Sequence, residues 1–181
     1  MKNLKTILIV ALLFISYSTF AQTTIWVVRH AEKGTTPAND PDLTTEGKAR
    51  ATELAKLLKD QKIAAVFSTP YKRTTQTGEP TAKQAGLSAV KNYDPADLPT
   101  FARQTLSQYI GKTILIVGHS NTVIPTIQAF GAEKPFATLD DEDYDHLFKV
   151  TLDDNDKATV EVLRYGVPHH SSKAVPENKM H

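Results

Sequence analysis

The chain has 181 residues, 40% hydrophobic and 23% charged, with 21 Lys and Arg against 20 Asp and Glu and a net charge of +1. This is the size and balance of one soluble domain with its own core, and it excludes a disordered chain, a repeat array and a basic nucleic-acid-binding surface. Cysteine is absent, which excludes disulfides, cysteine nucleophiles and thiolate zinc sites.

The first residues, "MKNLKTILIVALLFISYSTFAQ", set Lys2 and Lys5 ahead of an apolar run from Ile7 to Ile15 and end on Thr19-Phe20-Ala21. That order predicts a secretory signal peptide over 1–21, cleaved after Ala21. An uncleaved anchor is the alternative, but the run is shorter than the ~20 residues a membrane span needs. A lipoprotein would need a cysteine at the cleavage site. The expected product is exported, in a bacterial periplasm, without stable membrane association. Losing Lys2 and Lys5 takes its net charge from +1 to −1.

Thr24 to Val28, "TIWVV", reads as a buried strand ending at Arg29-His30. A loop with Gly34, Pro37, Asn39, Asp40 and Pro41 follows, and then "LTTEGKARATELAKLLKD" puts Ala51, Leu54, Ala55, Leu57 and Leu58 at helical spacing behind a Thr44 or Thr45 cap. Ile63 to Phe67 is a second strand. It leads through Ser68-Thr69-Pro70 into a helix with Arg73 in its first turn, which Pro80 is expected to break or kink before Gly86 ends it.

Leu87 to Tyr93 predicts a third strand ending at Asp94-Pro95, and Asp97 to Tyr109 a third helix. Thr113 to Val117 is the fourth strand and Thr122 to Phe130 the helix after it, with Pro125 in its first turn. An acidic loop, "LDDEDYDH", precedes a hairpin of "HLFKVTLD" and "ATVEVLRY". Alternating strands and helices predict an α/β fold: three layers, α/β/α, around a mostly parallel sheet with the hairpin at an edge. The domain is expected over 22–166 and a polar, flexible tail over 167–181.

In open parallel sheets ligands sit at the carboxyl ends of the strands. Those ends carry Arg29-His30, Ser68 with Arg73, Asp94, and His119. Two guanidinium forks converging on one rim suit phosphate oxygens and repel a metal cation. A histidine held neutral beside them can attack phosphorus, which makes His30 the candidate nucleophile and His119 a hydrogen-bond donor to the transferring group. Taken singly, each residue has a plainer reading: a solvated strand end, a surface charge, a turn aspartate or a helix cap. His146, His169, His170 and His181 are given no role, and "GKT" at Gly111 to Thr113 lacks the first glycine of a phosphate loop.

The motifs "VVRHAEK", "LTTEGKARATELAKLL", "FSTPYKRTTQT" and "LIVGHSNT" together resemble the histidine phosphatase superfamily, with its phosphoglycerate-mutase-like fold, over most of Thr24 to Arg164. In size and in the closing hairpin the chain is most similar to compact bacterial phosphohistidine phosphatases. The resemblance implies a phosphomonoesterase in which His30 takes the phosphoryl group, Arg29, Arg73 and His119 hold its oxygens, and Asp94 protonates the leaving group. Asn121 is expected beside the pocket as a substrate-binding residue. No metal or organic cofactor is implied. The partner is expected to be a small phosphorylated substrate or a phosphoprotein.

Two departures stand out. Ala31 replaces the usual glycine after the nucleophile, and Ser120-Asn121 replace the acid that one branch carries after its second histidine. Glu32 and Asp97 are therefore alternatives to Asp94 as proton donor. Three rival functions are a phosphate-binding module without catalysis, a serine esterase using Ser120 with His146 or His169, and a mutase. Gly118-His119-Ser120-Asn121-Thr122 nearly fits a nucleophile elbow, but Thr122 stands at its final glycine and the arginines would be left unexplained. Ser120 is instead expected to cap the following helix.

Overall fold

The computed structural model describes residues 22–170. The expected signal peptide, the end of the tail and His181 lie outside the described residues. The elements are β1 (Thr23–Arg29), α1 (Thr45–Leu58), β2 (Ile63–Ser68), α2 (Lys72–Gln84), β3 (Lys91–Asn92), α3 (Leu98–Tyr109), β4 (Thr113–Gly118), α4 (Ser120–Ala129), β5 (His146–Leu152) and β6 (Ala158–Arg164).

They build one six-stranded sheet in the order β3-β2-β4-β1-β5-β6. β1, β2, β3 and β4 run parallel, while β5 pairs antiparallel with β1 and β6 with β5. β1 is apolar on both sides because both of its faces are covered. Ile25 and Val27 join Phe67, Ile114, Ile116 and Phe148 in a core closed by Leu98, Val123 and Ile127 of α3 and α4. Trp26 and Val28 join Val66, Leu115, Val117 and Leu147 against Leu54, Leu58 and Ala82 of α1 and α2. The result is the expected three-layer architecture with the hairpin at one edge.

Local departures from expectation each have a packing reason. β3 shrinks to Lys91–Asn92, paired only with the last two residues of β2. Leu87 and Val90 spend their side chains on the core without entering the ladder. α2 runs unbroken through Pro80, because Thr77, Gly78, Thr81 and Ala82 are buried against the sheet and outweigh one lost backbone bond. Gly78 lies so close to β2 that a Cβ would come 2.8 Å from Val66 Cγ1. The helix ends at Gly86, whose φ of +71° lets the Leu87 N–H reach the Ala82 carbonyl at 2.9 Å.

α4 starts two residues early, since Thr122 Oγ1 accepts from the His119 N–H at 2.8 Å and makes His119, not Ser120, the cap position. That places Pro125 two residues deeper, in the second turn of the helix. Residues 167–170, the described start of the expected tail, are hydrogen-bonded to the domain. Arg50 of α1 donates to the carbonyls of Tyr165 and Val167 at 3.1 and 2.8 Å, and Asp145 accepts from the His169 N–H at 3.1 Å.

Candidate active site

β1 and β4 lie side by side, with Arg29 opposite Gly118, and the His30 N–H bonds the Gly118 carbonyl at 2.9 Å. The chain leaving β1 goes to α1 on one face of the sheet, and the chain leaving β4 goes to α4 on the other. Their divergence opens a crevice at the carboxyl ends of the strands. His30 and His119 meet there edge to face, with ring centroids 5.4 Å apart.

His30 is buried, at 3% exposure. Its Nδ1 lies 2.8 Å from the Ala31 carbonyl, which can only accept, so Nδ1 carries the proton. Burial, and then the charges of Arg29, His119 and Arg73, push its pKa down to about 3 against the opposing effect of the Ala31 bond. The ring is thus neutral with a lone pair on Nε2. Burial and the charges of Arg73 and Arg29 bring His119 down to about 4. Its Nε2 lies 2.8 Å from Thr69 Oγ1.

Arg29 is gripped from the loop before β5. Its Nη1 donates to the carbonyls of Asp140 at 3.3 Å, Asp141, and Asp143 at 3.4 Å, and its Nη2 donates to the Tyr144 hydroxyl at 3.3 Å. The guanidinium also stacks on the Tyr144 ring at 4.0 Å. Arg73, in the first turn of α2, stacks on Tyr71 at 4.3 Å, and Tyr71 in turn meets His119 edge to face at 5.5 Å. Both arginines keep a buried Nε–H without a partner among the described residues. Two such donors beside two neutral histidines form a site for a polyoxygen anion.

Arg29, His30, Arg73 and His119 therefore come together as the strand ends suggested. Asp94 stands apart: it is exposed and accepts from its own loop, at the Ala96 N–H, 2.9 Å away. Among the described residues no hydrogen bond or ion pair joins it to either histidine or either arginine. Asp97 caps α3 through the Thr100 N–H at 3.2 Å. Glu32 is buried, which alone would raise its pKa. Hydrogen bonds from Arg50, with Oε1 and Oε2 at 2.9 and 3.0 Å from Nε, and from His169 at 2.9 Å more than offset this and keep it an ionised carboxylate.

Asn121 is exposed in the first turn of α4, next to His119. Ser120 does not cap that helix; its hydroxyl donates to Asp141 Oδ1 at 2.6 Å. A serine bonded to a carboxylate has no histidine base, and His146 and His169 are engaged elsewhere, against Phe148 and Glu32.

The residues missed by sequence reasoning are Thr69, Tyr71, Asp141 and Tyr144. Asp141 is one carboxylate brought to the rim, as Asp40 is beside Arg73 at 4.0 Å: the Ser120 hydroxyl, then the charges of Arg29, His30 and Lys33, hold Asp141 below the usual carboxylate range. Nothing in its spacing ties the acidic loop to Arg29. Only the pairing of β5 alongside β1 brings the two together.

Comparison with known proteins agrees with this geometry. Residues 25–94 match the model of the histidine phosphatase superfamily (branch 1). No match was found among curated protein sequences. Among solved structures, the protein histidine phosphatase SixA complexed with tungstate superposes with a TM-score of 0.62 at 22% identity, covering 78% of this chain and 96% of that one. A mycobacterial glucosyl-3-phosphoglycerate phosphatase gives 0.62 at 9% identity, covering 80% and 98%. A phosphoserine phosphatase mutant from Entamoeba histolytica, in complex with phosphoserine, gives 0.56 at 14% identity, covering 83% and 98%. At these identities the superpositions establish the fold. With the motif match over residues 25–94, they make the chain similar to compact members of the histidine phosphatase superfamily.

Proposed function

We propose that the protein is a metal-independent phosphomonoesterase working through a phosphohistidine on His30. The observation that carries this reading is the state of His30: Nδ1–H held on the Ala31 carbonyl, Nε2 without a hydrogen-bond partner among the described residues, and the ring neutral between two arginines. In the first step the Nε2 lone pair bonds to phosphorus, the ester P–O bond breaks, and the leaving oxygen takes a proton. In the second step water attacks phosphorus, the P–N bond breaks with its electron pair returning to Nε2, and water's proton passes to solvent. Arg29, Arg73 and His119 hold the phosphoryl oxygens throughout.

Asp94 is assigned the proton on the strength of the family resemblance. To deliver it, its carboxyl must leave the Ala96 N–H. A second reading, an exported phosphate-binding module without turnover, draws on the same exposed and detached Asp94. Substrates within the first reading are small phosphate esters or a phosphoprotein, met outside the cytoplasm after cleavage at Ala21. N-terminal sequencing of the exported protein checks that cleavage.

The deciding assay follows aryl phosphate hydrolysis with and without chelator, together with trapping of an acid-labile phosphoenzyme. Chelator-resistant turnover that vanishes with its phosphoenzyme in His30→Ala is expected, with activity largely kept in Ser120→Ala. His119→Ala or Arg73→Ala should cost about 2.7–4 kcal/mol in the barrier, the range for one lost oxyanion donor. Full activity in His30→Ala would overturn the mechanism. Phosphate binding without turnover in the wild type would select the module. An unchanged rate in Asp94→Asn would remove Asp94 as the acid.

A further inference from the structure

Four threonines that follow β2, Thr69 in the loop and Thr74, Thr77 and Thr81 in α2, are buried, and the mechanism above uses none of them. Thr77 and Thr81 sit within α2, where Thr77 Oγ1 accepts from the Ala31 N–H at 2.9 Å. Thr69 and Thr74 reach the site more directly. Thr69 Oγ1 lies 2.8 Å from His119 Nε2 and 2.9 Å from Thr74 Oγ1. Thr74 Oγ1 lies 2.9 Å from the Thr69 carbonyl and 2.8 Å from the Tyr71 carbonyl.

Each hydroxyl has one hydrogen to give, and a carbonyl can only accept. Thr74 faces two carbonyls, so its hydrogen belongs to one of them; pointing it at Thr69 would leave two acceptor pairs in contact at hydrogen-bond distance. Thr74 Oγ1 then accepts from Thr69, which commits the only hydrogen of Thr69. The remaining contact, to His119, can be made in one sense alone, with Nε2–H donating to Thr69 Oγ1.

On the reading of the site given above, we propose that Thr69 is a positioning residue that fixes His119 as the Nε2–H tautomer. The two histidines of the site thereby receive opposite forms. The Ala31 carbonyl puts the proton of His30 on Nδ1 and leaves Nε2 a lone pair for attack. The Thr74–Thr69 chain puts the proton of His119 on Nε2, and an arriving phosphoryl oxygen accepts that hydrogen bond in place of Thr69 Oγ1. A neutral His119 with a lone pair on that nitrogen would repel a phosphoryl oxygen, so the tautomer decides whether the ring can stabilise the transferring group without a positive charge.

The experiment combines nitrogen-15 NMR of the imidazoles with kinetics on an aryl phosphate, for wild type, Thr69→Val, Thr69→Ser and Thr74→Val. Wild type should show His119 protonated at Nε2. Thr69→Val, with the same shape and no hydroxyl, should populate the Nδ1–H form and lower kcat at least tenfold with KM changed less than threefold. Thr69→Ser should restore both to near wild type. Thr74→Val, which frees the Thr69 hydrogen to point at Nε2, should also shift the tautomer, and it gives an independent reading if Thr69→Val fails to fold. His119 protonated at Nδ1 in the wild type would overturn the proposal. So would an unchanged tautomer in the folded valine variants. The NMR readout needs no turnover, so an inactive wild type would sink the phosphatase reading and leave the role of Thr69 to be decided by the spectra.

Discussion

At His30 and His119 the same imidazole is held neutral by burial, and this has a consequence for acid stability. His30 and His119 titrate near 3 and near 4 when folded, against 6.5 in the open chain, and burial lowers His146 as well. Below pH 6.5 the unfolded chain takes up protons that the folded chain refuses. The stability contributed by these groups is therefore complete above pH 6.5 and is lost as pH falls through the folded values. Urea unfolding should give a lower midpoint at pH 5 than at pH 7, with a smaller difference in His30→Asn. On the proposed mechanism, the acid limb of kcat/KM should lie near pH 4 or below, because His30 and His119 are already unprotonated above it. Of these residues, His30, Arg29, Arg73 and His119 were legible in the sequence, because each stands at or just past the end of a strand that is recognisable on its own. Thr69, Tyr71, Asp141 and Tyr144 were not. Their roles depend on contacts between segments that share no local pattern, such as Ser120 with Asp141.

At the scale of elements, α1 is fastened to the loop that follows His30. Thr44 caps the helix, its Oγ1 accepting from the Gly47 N–H at 3.1 Å, and its own N–H bonds the Glu32 carbonyl at 3.0 Å. Gly47 packs so tightly there that a Cβ would stand 2.2 Å from the Glu32 carbonyl oxygen. Gly47→Ala is expected to lower stability by about 1–3 kcal/mol, the usual cost of overpacking, read as a fall in the thermal midpoint. One turn on, Arg50 meets Glu32 with side chains only 4% and 10% exposed. Arg50→Met leaves that carboxylate buried with His169 as its remaining partner and should cost about 3–5 kcal/mol, with much of it recovered in Arg50→Met/Glu32→Gln. Element type was legible along most of the chain because the strands are apolar runs and the helices periodic. The errors came at β3 and Pro80, where packing against the sheet outweighed local signals.

Across the whole molecule, the two histidines and two arginines of the site come from three separate strand ends, and the grip on Arg29 comes from a fourth segment before β5. A ligand that bridges such segments binds the folded state alone. Inorganic phosphate at ten times its dissociation constant should add about 1.4 kcal/mol and raise the thermal midpoint, and Arg73→Ala should abolish most of the rise. A chelator should change neither the midpoint nor the turnover, since two guanidinium groups beside the histidines oppose a divalent cation. The alternation of strands and helices, the parallel sheet with its edge hairpin, and the identity of the residues at the strand ends were readable from the residues alone, because hydrophobic period and strand termini are local properties. Only the tertiary structure decided what those residues face: Ala31 and Thr69 fixing the protons of the two histidines, the 140–144 loop gripping Arg29, Asp94 turned to its own loop, and residues 167–170 bound to Arg50 and Asp145. Hydrogen-bond partners far apart in the chain are chosen by the meeting of surfaces, which no local pattern encodes.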